Sequence, residues 1–410
     1  MKIKFLKTVS VERFRTLLKE LSPLKLGSEE VNLENSFNRK ISMDVKSPID
    51  VPHFRKSRMD GFAVKAEDTF GAEEDNLISL KQIEVIEAGD IPQKVIKKGE
   101  CAYVATGAAI PEGANAVVIV EYSQKKDNII SISQAVTPST YIIEIGHDVK
   151  KGETIIKEDT LVDLPTMGIL AACGIQTVPV YQKPKISLIS TGSELVTNEV
   201  SDLEIGQIYD INSIVLKQAI SNTGSEVNYL GIVKDDFKQL KQIIEKGLKE
   251  SDLVILSGGT SKGEGDLGVR VLDTFENIEI QVHGIKIKPG KPLIFAKLQN
   301  KIIFILPGYP TSALSCFYVF IDDFLRMLSG YPLRGKNAEE LEIGERIYSP
   351  IGRHHFKAVE LREVDGVQKI FPIETGSEAI STLFYSDGYI EIEELEEIVE
   401  KGDKKVFYTY

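Results

Sequence analysis

Cysteine is scarce in this chain. Its three cysteines, Cys101, Cys173 and Cys316, stand far apart in 410 residues with no CxxC spacing. That argues against a disulfide scaffold or a thiolate zinc site and reads as buried free thiols in a reducing compartment. Histidine is sparse too: five in all, one adjacent pair (His354-His355) and no HExxH pattern. Long apolar runs are missing. The most apolar late stretch, around Cys316 to Leu328, is broken by Asp322, Asp323 and Arg326, which rules it out as a membrane span. The opening residues, MKIKFLKTVSVERFR, lack a long apolar core and a small-residue cleavage site. No signal peptide is expected, and the expected location is the cytoplasm. Positive charge is in deficit, 49 Lys and Arg against 61 Asp and Glu, for a net charge of −12. That argues against non-specific binding to nucleic acid or an anionic membrane. Any anionic ligand then needs a locally cationic site.

What is present is glycine in two informative places. Leu253-Val254-Ile255-Leu256 leads into Ser257-Gly258-Gly259-Thr260-Ser261-Lys262-Gly263-Glu264-Gly265-Asp266, and Ile302-Ile303-Phe304-Ile305 leads into Leu306-Pro307-Gly308-Tyr309-Pro310-Thr311-Ser312-Ala313. Strand, glycine loop and helix start together point backbone N–H groups at an anion. Two such loops on one sheet suggest a phosphorylated ligand at the carboxyl ends of parallel strands. Glu264 and Asp266 suggest an accompanying metal ion or chemistry.

The length predicts roughly two to four domains. Ser10 caps an expected helix with Val11, Phe14, Leu17, Leu18 and Leu21 on one face. Short β-type runs at 82–87, 102–106, 116–122 and 129–133, separated by Gly89, Gly99, Gly107 and Gly113, predict a small inserted β domain. A return segment over 140–180 carries a short helix near Pro165 to Cys173. After Pro184 the texture is βα: strands at 186–190, 227–233, 253–257 and 302–306, with helices capped by Asn212, at 236–248, at 267–275 and at 311–328. This predicts a mostly parallel sheet covered on both faces. From about Gly335 the pattern is β again, with Asp365-Gly366 and Asp387-Gly388 read as hairpin turns.

Each candidate has a plain alternative. Gly258, Gly259, Gly263 and Gly265 with Lys262 and Asp266 read as an anion loop, or as an ordinary βα turn. Thr311 and Ser312 read as anion contacts at a helix start, or as simple caps. Glu194, in Thr191-Gly192-Ser193-Glu194, lies where open α/β sheets bind ligands, although a solvated glutamate is the plain reading. Lys286, Lys288 and Lys291 in HGIKIKPGKP offer a cationic clamp or a surface cluster, and Lys288 and Lys291 are favoured as oxyanion binders. Asp60-Gly61 alone reads as a turn, and Thr106-Gly107 and Asp148 are equally plain.

Six segments in order carry a resemblance: SRMDGFA at 57–63, ATGAAIPEGANAVV at 105–118, STGSEL at 190–195, SGGTSKGEGD at 257–266, KPGKP at 288–292 and LPGYPTSA at 306–313. The chain resembles MoeA-type molybdopterin molybdenumtransferases, the group that includes the C-terminal domain of gephyrin. The resemblance implies a multi-domain α/β plus β fold. A linker domain (1–45 and 140–182) surrounds an inserted β domain (46–139). A central molybdopterin-binding α/β domain (183–332) and a C-terminal β-barrel-like domain (333–410) follow. It implies a homodimer with a composite inter-subunit site, and a molybdopterin adenylyltransferase as a possible partner. The implied substrate is adenylylated molybdopterin, into which molybdate or tungstate is inserted with loss of AMP. Asp60, Glu194, Asp266 and Asp148 become catalytic candidates, and Asp60, Glu194 and Asp266 Mg²⁺ ligands. Thr106, Gly192, Ser257, Gly258, Gly259, Ser261, Lys288, Lys291, Pro307, Gly308, Pro310 and Ser312 become substrate contacts. Asp235 or Asp236 is a further acidic candidate. Tyr309, Asn115 and Gly284 depart from the family pattern, and the first brings an aromatic face where an asparagine amide is usual.

Overall fold

The structure is a computed structural model that describes residues 4–21, 26–260, 267–334, 339–376 and 378–409. The chain forms two compact units, one of residues 1–29, 38–40 and 180–410, the other of residues 30–37 and 41–179.

The larger unit is built on a seven-stranded sheet in the order Lys4–Val9, Ile278–Ile285, Ile294–Leu298, Lys301–Leu306, Leu253–Ser257, Lys185–Thr191, Glu226–Val233. The last four strands run parallel to one another. Ile294–Leu298 is antiparallel to both of its neighbours. Every residue of Leu253–Ser257 is buried, so the apolar run is continuous rather than alternating, as a strand covered on both faces requires.

One face is sealed by Val11–Leu21, Ile211–Ser221 and the segment 310–329. Phe14, Leu17, Leu216, Phe317 and Phe324 meet Ile186, Ile255, Phe295 and Phe304 there. The other face carries Phe237–Glu250 and Leu267–Leu272, with Leu240, Ile244 and Val271 on Val254, Leu256, Ile303 and Ile305. The expectation that residues 1–45 belong to a linker domain is corrected at its start. Lys4–Val9 pairs parallel with Ile278–Ile285, and Phe14 sits edge-on to Phe295 at 5.6 Å and Phe320 at 5.1 Å. The amphipathic helix goes where its apolar stripe finds a matching face.

The expected helix over 311–328 begins at Pro310, passes through a π-turn at Phe317–Ile321 and ends at Gly330, whose φ of 65° is left-handed. Proline fits the first turn because no intrahelical donor is needed there. Beyond it, His354–Val364, Val367–Pro372, Glu339–Ile343, Lys404–Thr409 and Gly388–Ile392 pair in that order, and the last returns to the first. This closed five-stranded barrel leaves no free edge. Asp365-Gly366 is a hairpin turn with both residues at positive φ, as expected. Asp387-Gly388 is not. Gly388 opens a strand after the helix Ser381–Tyr385, and Asp387 accepts the Leu361 N–H at 2.7 Å.

The smaller unit holds a six-stranded sheet in the order Ala116–Ile119, Gly61–Val64, Glu100–Val104, Ile78–Ile86, Ile129–Ile132, Ser123–Lys126. Each expected β run contains a strand, the first four residues longer at its start, but the run expected over 116–122 ends at Ile119 and passes into a 3-10 turn over Val120–Tyr122. The helix Leu164–Ala172 is capped by Asp163, whose side chain accepts the Thr166 N–H at 2.9 Å. Gly61 is not a turn residue: a Cβ there would lie 2.2 Å from the Val118 carbonyl oxygen. Glycine is needed for backbone to press on backbone.

Candidate active site

Three loops leave the carboxyl ends of the parallel strands and lock together at Gly258. Its N–H donates to the Leu306 carbonyl at 3.0 Å, its φ is 102°, and a Cβ would fall 2.2 Å from the Thr191 carbonyl oxygen. Only glycine satisfies both demands. Gly192 likewise donates its N–H to the Val233 carbonyl at 3.2 Å. The N–H groups of Gly192 and Gly258 are therefore committed within the fold. Gly258 supplies close backbone approach, and neither N–H is left for a ligand.

Asn212 binds two of the loops to each other. Its Nδ2 donates to Ser257 Oγ at 2.7 Å and to the Gly308 carbonyl at 2.8 Å, and its buried Oδ1 has no hydrogen-bond partner. Asn212 is not the helix cap expected from the sequence. The cap is Asp210, whose side chain accepts the Ser213 N–H at 3.0 Å. An aspartate two residues earlier made a second cap redundant, and that was the missed signal.

On the first loop Glu194 is exposed, and its carboxylate lies over Gly192. The next two aspartates differ in their bonds. Asp236 caps Phe237–Glu250 through the Gln239 N–H at 2.8 Å. Asp235 accepts the Thr191 hydroxyl at 2.9 Å and so belongs to the loop cluster. Ser261 and Asp266, with Lys262, Gly263, Glu264 and Gly265, lie outside the described residues.

Beside the third loop is a cavity of about 540 Å³. Lys288 and Lys291 line it, together with Pro307, Thr311 and Ser312. Thr311 and Ser312 are not caps. They lie inside the helix Pro310–Cys316, and the Thr311 hydroxyl donates to the Ala379 carbonyl at 3.2 Å. Lys286 is turned away and pairs with Glu394 at 2.7 Å. The barrel supplies residues that sequence reasoning missed: Arg353, His355 and Lys357. Their alternate spacing into His354–Val364 put them on one strand face, which was the available signal.

The cavity is cationic. Burial lowers the Lys288 pKa, Lys357 and Arg353 lower it further, and Glu374 opposes them. Burial, Lys288, Lys357 and His354 push His355 down to about 3. Lys357 is paired with the exposed Glu374 at 3.2 Å. Among the described residues that line it, Lys288, Lys291, Arg353 and Lys357 are set against the single carboxylate of Glu374.

In the smaller unit the structure joins two expected residues. Asp60 Oδ1 accepts both the hydroxyl and the N–H of Thr106, which hold the exposed carboxyl below its ordinary range. Asp148 is exposed on a separate turn, its N–H donating to Val51. Among the described residues no three His, Cys, Asp or Glu side chains gather as a metal site. No helix among them is long and apolar enough to cross a membrane.

Three family models match: the MoeA N-terminal region (domain I and II) over residues 9–174, a probable molybdopterin binding domain over 187–327, and the MoeA C-terminal region (domain IV) over 340–407. A Methanocaldococcus jannaschii protein named for molybdopterin biosynthesis is 36% identical, with 98% of this chain and 96% of that one aligned. The molybdopterin molybdenumtransferase of Haemophilus influenzae is 34% identical over 78% of each chain. A crystal structure of the molybdopterin biosynthesis MoeA protein of Pyrococcus horikoshii superposes with a TM-score of 0.82 at 34% identity, covering 98% of this chain and 99% of that one.

Proposed function

The chain belongs to the MoeA family of molybdopterin molybdenumtransferases, enzymes of molybdenum cofactor biosynthesis, and from that premise we propose how its own residues divide the work. The glycine loops, tied by Asn212, seat the phosphate-bearing end of adenylylated molybdopterin. The cavity of Lys288, Lys291, Arg353 and Lys357 receives molybdate or tungstate. The observation that carries this reading is the convergence of those four cations beside the loop 307–312 in an acidic protein. A tetrahedral dianion cannot be held there by a global field, whereas charge-assisted donors in a partly dry cavity hold it well. Metal insertion replaces an oxo group by the dithiolene sulfurs, and cleavage of the phosphoanhydride releases AMP.

Mg²⁺ fits one feature of the donor set. That ion is commonly held by one or two carboxylates plus substrate phosphates rather than by an all-protein cage. Glu194 at the edge of the phosphate loops is such a carboxylate, with Asp266 and Asp60 as its expected companions. Bound there, Mg²⁺ would neutralise phosphate charge.

Asp60 and Glu194 belong to different compact units. From the family resemblance we favour a homodimer in which Asp60, Thr106 and Asp148 of one subunit complete the site of the other. The adenylylated substrate requires a molybdopterin adenylyltransferase upstream, a natural partner. The three buried thiols suit a reducing cytoplasm.

The test is AMP release from adenylylated molybdopterin with molybdate, with tungstate and with neither. Release that depends on the oxyanion is expected, and the better oxyanion names the physiological metal. Tight binding without release under every condition would instead favour a scaffold or the adenylylating reaction.

A further inference from the structure

The oxyanion cavity contains one group with no counterpart among its cations. His355 is buried, lies on the strand His354–Val364 and pairs across a parallel register with Lys288. Its Nδ1 is 3.1 Å from the hydroxyl of Ser349, itself buried. That contact fixes the ring and leaves Nε2 as the nitrogen available to the cavity that His355 lines.

We infer, resting on the oxyanion reading of this cavity, that His355 is a proton-linked ligand of the bound oxyanion: neutral in the empty site, it takes one proton from solvent when a tetrahedral dianion binds and presents a charged N–H donor to it. The surroundings give the reason. Lys288 stands beside the ring on the adjoining strand and Lys357 on its own, His354 acts from the opposite strand face, where it bonds Glu391, Arg353 and Lys291 line the same cavity, and Glu374 is paired with Lys357. With the cavity empty, burial and these cations disfavour an imidazolium. A dianion at hydrogen-bond distance reverses the sign of the field at the ring. Ser349 serves both states, because a hydroxyl can donate to a neutral Nδ1 or accept from a protonated one.

The proton has a chemical use. When two thiolate sulfurs replace one oxo group of molybdate, that oxygen leaves as water. Two metal–sulfur bonds form, one metal–oxygen bond breaks, two protons are consumed and the metal keeps its oxidation state. His355 delivers one of those protons and solvent the other.

The experiment is calorimetry of tungstate binding to the whole protein, in buffers of different ionisation enthalpy and between about pH 5.5 and 7.5. The wild-type protein is expected to take up close to one proton per tungstate, with affinity falling by up to about tenfold for each unit rise in pH. His355→Gln is expected to bind tungstate without that slope. Tungstate binding with no proton uptake in the wild type would overturn the assignment and leave the cavity reading intact. A slope that survives in His355→Gln would place the proton elsewhere and overturn it as well. Failure of the wild type to bind tungstate at all would remove the cavity reading, and this inference with it. Should the variant not fold, the wild-type ring resonances decide. One of the five histidines must move to its protonated position when tungstate is added, and movement of none would refute the assignment.

Discussion

Thr106 gives both its backbone N–H and its hydroxyl to one carboxylate oxygen of Asp60, at 2.6 and 2.7 Å. Two donors on one oxygen hold the carboxylate charged and fix its direction. Thr106→Val removes the stronger of the two influences, so the Asp60 carboxyl should return toward its ordinary range. The acid limb of the pH–rate profile then moves to higher pH, because Asp60 protonates sooner as pH falls. An unchanged acid limb would mean that Asp60 is not ionised for function.

The composite-dimer proposal makes a sharper prediction with the same residue. Asp60→Asn and Glu194→Gln should each be nearly inactive alone. In an exchanged mixture, half the dimers are mixed and each has one intact site, so about a quarter of wild-type activity should return. No recovery after proven subunit exchange would place Asp60 and Glu194 in the same subunit's site.

Asn212→Ala should destabilise the protein by about 1–3 kcal/mol, because Ser257 and Gly308 lose a buried partner. The loss should appear in thermal unfolding, and substrate binding should weaken with it as the two loops part. A variant with wild-type stability but impaired turnover would instead give Asn212 a direct role toward the ligand.

The βα alternation, the inserted β sheet and the glycine loops were legible because each rests on local pattern: continuous apolar runs, short β spacing, glycine after a strand. Other features depend on what is brought together from far along the chain. Asn212 looked like a cap because a cap is a local property, while its bonds reach residues 257 and 308. Arg353, His355 and Lys357 stand some 65 residues beyond Lys288 (a strand pairing between Ile287–Lys288 and the barrel brings them together). The short strand Ile287–Lys288 carries no such signal in its own composition. Likewise, nothing local tells the first helix which apolar face it will cover.

That helix can be tested directly. Phe14→Ala removes a fully buried ring from the contact with Phe295 and Phe320 and should cost about 3–5 kcal/mol. The expected readout is a lower unfolding temperature for the larger unit. A near-neutral effect would mean that this helix adds little to the core of the larger unit.

His355 also links stability to pH. Its folded value, about 3, lies below that of an unfolded histidine, so the unfolded state binds the extra proton first. The stabilisation is complete above about pH 6.5 and is lost as pH falls toward 3, at up to about 1.4 kcal/mol per pH unit. Glu391, held down to about 2 by His354 and Arg15 although burial alone would raise it, adds its own loss only below the ordinary carboxylate range. His355→Gln should therefore flatten the stability curve between about pH 6.5 and 4.5 and leave the steeper acid limb. A curve equally steep in the variant would mean that the histidine is already charged in the folded protein.

Metal removal tests the last part of the proposed chemistry. Glu194 stands beside the loops proposed to hold phosphate, and a carboxylate near an anionic phosphate repels it unless a cation lies between them or the carboxyl is protonated. AMP release should stop in excess EDTA and resume with added Mg²⁺. Tungstate binding in the cationic cavity should persist, because Lys288, Lys291, Arg353 and Lys357 need no metal to hold an oxyanion. Glu194→Gln should raise the Mg²⁺ concentration needed for half-maximal release and leave tungstate affinity within about twofold, as expected for a charge outside the cavity in salt. AMP release indifferent to EDTA would instead require Glu194 to act as a protonated acid, and its turnover would then fall as pH rises.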